Sequence, residues 1–77
     1  MLTAEQVREK RAEAQGEVVR YAAIRADAMR RWSEALQRLD HDQMRTANRE
    51  IEDAGRTMMA WRWTSDAFTV VLDGEPE

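Results

Sequence analysis

The sequence predicts an all-α protein, an antiparallel hairpin of two long helices that pairs with a second copy into a four-helix bundle. Three observations point there. The same helix-start phrase occurs twice, as Leu2-Thr3-Ala4-Glu5-Gln6-Val7 and as Leu39-Asp40-His41-Asp42-Gln43-Met44. The second phrase is followed by an unbroken run of apolar and small residues at alternating steps of three and four. Continued backwards, that run lands on Gln37, Ser33 and Arg30, so it does not extend the apolar face of the preceding helix, and the chain must turn.

The helix starts follow from what a free helix end requires. The first backbone N–H groups of a helix have no partner inside it, and a short polar side chain just before the helix supplies one. Thr3 with Gln6, and Asp40 with Gln43, have the spacing of a reciprocal capping box. Leu2 with Val7, and Leu39 with Met44, are placed to staple each entry. One helix is expected over about 3–38, a bend over 39–42 and a second helix over about 41–64.

Between Thr3 and Arg38 there is no proline and one glycine, Gly16. C-terminal to Gly16 the first helix is apolar over a wide face that includes Val18, Tyr21, Met29, Trp32 and Leu36. N-terminal to it only Val7, Ala12 and Ala14 offer burial. Glu5, Glu9, Glu13 and Glu17 stack like charges at four-residue spacing, which reads first as a solvated ridge and second as a docking ridge for a basic surface. In the second helix Met44, Ala47, Ile51, Ala54, Met58, Trp61, Ser65, Phe68 and Leu72 form a heptad seam, as in a coiled coil. Folding the chain back sets Met44 by Leu36, Ala47 by Trp32, Ile51 by Met29 and Arg25 opposite Ala54.

The end of the second helix is where local preferences conflict. Trp61 to Thr64 and Phe68 to Leu72 are aromatic and β-branched, and Thr64-Ser65-Asp66 between them is turn-like. The expectation is therefore a short extended C-terminal segment over 65–77, laid on the N-terminal arm, ending in an acidic tail.

Composition excludes several kinds of chemistry. The chain has 77 residues, which make one small domain with a limited core, and no cysteine to staple it. A single histidine, His41, has no partner at metal-ligand spacing, and no nucleophile–base pair or glycine-rich phosphate loop is present. Neither enzymatic activity nor a cofactor is expected. A net charge of −3 argues against nucleic-acid binding by bulk charge, although Arg45, Arg49, Arg56 and Arg62 near Trp63 keep it as the alternative. No apolar run reaches membrane-spanning length, and a cytoplasmic location is expected. What remains is a non-enzymatic interaction or assembly protein that dimerises and docks on a larger protein partner. An arginine- and alanine-rich composition suits a phage or bacterial accessory factor. Met59, Trp63, Arg45, Arg49, Glu9 and Glu13 are the candidate interface residues.

Overall fold

The computed structural model describes residues 2–74. Two helices, α1 (Ala4–Gln37) and α2 (His41–Asp73), pack against each other as a hairpin, and no strand occurs among the described residues. The molecule is a rod, 58 × 16 × 13 Å along its principal axes. Its radius of gyration, 17.2 Å, far exceeds the about 11.5 Å of a compact chain of this length.

Both helix starts form as the sequence predicts, but only one capping box closes. At Thr3 the side chain accepts from the Gln6 N–H at 3.2 Å, and the Thr3 N–H donates to Gln6 Oε1 at 2.9 Å. At Asp40 the side chain accepts from the Gln43 N–H at 3.1 Å, but the Asp40 N–H donates instead to the carbonyl of Ala35 at 2.9 Å. That bond belongs to the closure of α1. Together with Leu39 N–H to Leu36 O at 3.1 Å, it makes the paired bonds of a Schellman motif. A single residue therefore ends one helix with its backbone and starts the next with its side chain, which is how the chain reverses in so few residues.

The motif requires a left-handed residue, normally glycine, and here it is Leu39, at φ 55°. Its side chain is not tucked onto α2 as a staple but stays 71% exposed.

All nine residues of the predicted α2 seam are buried or half-buried. The seam runs straight through residues 65–72, and the expected extended C-terminal segment is a correction: α2 continues to Asp73. Ser65 is buried and Phe68 and Leu72 are half-buried, so packing against α1 outweighs β-propensity, which is chiefly a fit to a pleated surface. The Thr64 hydroxyl donates to Ala60 O at 2.9 Å and that of Thr69 to Ser65 O at 3.1 Å, satisfying two polar groups within the helix. Residues 75–77 of the expected acidic tail lie outside the described residues.

The opposing seam on α1 is Ala4, Val7, Arg11, Ala14, Val18, Tyr21, Arg25, Ala28, Trp32 and Ala35, of which only Arg25 is exposed. Helices rise equally per residue, so positions equally far from the bend are level. Met44 is thus level with Ala35 and Ile51 with Ala28, one residue away from the expected Leu36 and Met29, which are exposed. Leu72 returns to the level of Val7, and the N-terminal arm, expected to be poor in burial, holds two of the most buried side chains, Val7 and Ala14.

The residues closest to the seam axis are small. Ala14, Ala28, Ala35, Ala47, Ala54 and Ser65 are buried together with Val7, whereas no large side chain is fully buried. Small residues let helix axes approach closely. The large ones then splay out along both edges of the contact.

Two outcomes follow. Leu39→Gly, which removes left-handed strain at an exposed position, is expected to stabilise the fold by about 1 kcal/mol in urea denaturation. Ala28→Leu is expected to cost about 1–3 kcal/mol by overpacking, and Ala60→Leu, at an exposed site, should stay within about 0.5 kcal/mol in the same assay.

Candidate interaction surface

A two-helix hairpin has two broad faces, one on each side of the seam, and here they differ in chemistry. On one, Arg31 of α1 donates to Glu50 of α2, the only ion pair between the helices among the described residues. Arg31 also reaches Asp27 at 3.0 Å, and Arg30 bridges Asp27 at 2.7 Å and Glu34 at 2.8 Å. Further along α1, Arg20 pairs with Glu17 at 3.5 Å and Lys10 with Glu13 at 3.7 Å. Two clefts open on this side. One at the bend is lined by Arg31, Glu34, Ala35, Arg38, Asp40 and Gln43, and one at mid-length by Tyr21, Ile24, Glu50, Asp53, Ala54 and Thr57.

The opposite face is marked by Arg25, whose side chain lies against α2 at Gly55. A Cβ there would sit 3.8 Å from Arg25 Nε and 3.9 Å from Cδ, in ordinary contact. Next to Arg25 runs an outer flank of α1 made of Ala12, Gln15, Val19, Ala22, Ala26, Met29, Ser33 and Leu36. All eight are exposed and none is charged. They too are spaced by alternating threes and fours, and their centre lies roughly 100° around the helix from the buried seam. The helix therefore carries two seams about a quarter turn apart, of which α2 covers one.

The six expected interface residues do not form one site. Met59 is on the Gly55 side of α2, at 37% exposure, while Trp63, at 66%, is on the side of α2 turned away from α1. Arg45 pairs with Asp42, and Arg49 is exposed near the bend. Glu9 and Glu13 lie in the N-terminal arm, toward the other end of the rod, with Glu13 paired to Lys10. For the nucleic-acid alternative, Arg45 and Arg56 are paired with Asp42 and Asp53, which halves the free positive charge on that side of α2. In the sequence the uncharged flank of α1 merges with the buried seam into one wide apolar face, and only the packing of α2 separates the two.

His41 is the exposed first residue of α2, and no group of three or more His, Asp or Glu side chains able to hold a metal occurs among the described residues. No helix among them is long and apolar enough to cross a membrane. Comparison with protein-family models, with curated proteins and with solved structures finds no match.

Among the charges, the ionisation of Asp27 is shaped by its neighbours in the fold. Hydrogen bonds from Arg30, then from Arg31, hold its carboxyl below the usual carboxylate range. A depressed folded-state value stabilises the fold above the ordinary carboxylate range and is lost as pH falls through the depressed value. Thermal stability should therefore decline on acidification below about pH 4, and Asp27→Asn should flatten that decline. The change is expected to be small, because Asp27 and Arg30 are exposed and Arg31 is only half-buried.

Proposed function

We propose that this chain is a non-enzymatic helical interaction and assembly protein that self-associates and, as an assembled unit, docks on a larger protein. One observation carries the reading: surface area. The hairpin exposes 5976 Å². A compact monomer of 9.0 kDa exposes about 4,850 Å². The excess, about 1,100 Å², is more than the roughly 800 Å² that each partner contributes to a standard specific interface. With no large side chain fully buried, the single hairpin has the outline of half a bundle.

The exposed apolar groups support the same reading. Trp63 and Val70 face away from α1, and Met29, Leu36, Val19 and Met59 lie along one side of the hairpin. Isolated exposed apolar residues are common, but contiguous ones mark contact sites. Trp63 and Val70, on the far side of α2, are suited to the larger partner.

Sedimentation equilibrium on the whole chain tests the reading. The expected result is a dimer at micromolar concentration, with a melting temperature that rises with protein concentration, because association and folding are linked. A monomer whose melting temperature is the same over a hundredfold range of concentration would rule self-association out.

A further inference from the structure

We infer that a second copy of this chain lays its α1 antiparallel on the uncharged flank of α1, with Ala22 of each copy facing Ala26 of the other about a two-fold axis level with Ile24. The inference rests on the self-association proposed above and adds the surface and the register.

The first support is geometric. In a four-helix bundle each helix touches two neighbours, at directions about a quarter turn apart, and α1 has seams in just those two directions. The charged face cannot serve as well, since covering it would desolvate Arg31, Glu50, Asp27 and Glu34, whose pairing is already complete within one chain.

The second support is the order of residues along the flank. A two-fold interface is self-complementary, so a stripe that pairs with itself antiparallel must match when read from either end. Read outward from Ile24, this one does. Ala22 meets Ala26, Val19 meets Met29, Gln15 meets Ser33 and Ala12 meets Leu36. Small faces small at the centre, apolar faces apolar on either side, polar faces polar beyond that, and a small residue receives a large one at the ends. No charge falls anywhere in these pairs.

Carried over to α2, the same axis falls level with Gly55, so Gly55 of one copy faces Gly55 of the other and the two α2 backbones have room to approach there. One contact opposes the arrangement: the two Arg25 side chains approach near the axis. Their stems lie across Gly55, the residue whose missing side chain leaves room for them beside α2.

The absence of cysteine from the chain makes the test direct. Three variants of the whole chain, Ala22→Cys, Ala26→Cys and Val70→Cys, are mixed in pairs under mild oxidation and run on non-reducing gels. The Ala22→Cys and Ala26→Cys mixture should form covalent dimer at several times the yield of either variant alone or of any mixture with Val70→Cys. Circular dichroism of each variant before oxidation confirms that the helices remain. In parallel, Ala26→Glu should keep its helix content and raise the dimer dissociation constant at least tenfold. A wild-type chain that sediments as a monomer overturns both self-association and this register, and leaves the flank to another protein. A wild-type dimer whose crosslinks favour Val70→Cys, or show no preference for the Ala22→Cys and Ala26→Cys mixture, overturns the register alone. So does a dimer that Ala26→Glu leaves intact.

Discussion

The rest of the structure depends on the close approach of α1 and α2 along a line of alanines. Where Ala14, Ala28, Ala35, Ala47, Ala54 and Ser65 meet, the contact is tight but buries little area per residue, and the large side chains are pushed to its edges. Hydrophobic stabilisation scales with the apolar area removed from water, so a seam of alanines gives precise register and modest stability. Tyr21, Trp32, Met58, Trp61 and Phe68 reach the flanks half-covered, each with apolar surface to spare. The same small residues that fix how the chain folds back thus leave it with unused contact surface.

The bend shows how local economy supports that seam. Between the last residue of α1 and the first of α2 there are only three residues, and the backbone and side chain of Asp40 serve different helices. A left-handed leucine is tolerated within this reversal because the two bonds of the Schellman motif hold the backbone around it. A tight reversal leaves no slack, and the level of every later residue against α1 is set here. An alanine seam has few bulky knobs to correct a misregister, so its alignment rests more heavily on the turn than a leucine seam's would.

Much of this was legible in the sequence. The two caps, the bend and all of the α2 seam follow from spacing alone, because Met44 to Leu72 holds its heptad period without an interruption. The α1 seam was harder to see for a chemical reason: Arg11 and Arg25 occupy two of its positions, and long guanidinium side chains can line a contact by their stems while their charge stays in water. Hence Leu36 and Met29, which look like core, displaced Ala35 and Ala28 in the expected pairing. The C-terminal third was misjudged because β-branched and aromatic residues weigh against helix in isolation. Nothing local in Thr64-Ser65-Asp66 reveals that Val7 and Ala14 wait at the matching level of α1. The capping box at Asp40 half-failed for a similar reason, since the competing claim on its N–H comes from the end of the other helix.

The distribution of charge sets the two faces of the hairpin apart, and under the proposed self-association it favours one of them. Six of the eight ion pairs among the described residues involve α1, and they hold to its Arg31 side and outer surface, leaving the flank from Ala12 to Leu36 bare. Exposed pairs of this kind contribute little to stability, but they are costly to strip of water, so they act by exclusion. A second helix approaching α1 meets a desolvation cost on the charged side and almost none on the alanine flank, where the backbone itself can come close. Specificity in such a module then comes less from strong attraction at one spot than from the order of small, apolar and polar positions along a helix. In the proposed dimer that order is read in one direction on one copy and in the opposite direction on the other. A charged residue anywhere in the stripe would appear twice in the assembled pair, once on each copy, which is why a self-paired surface tolerates charge less readily than a surface built for a different partner.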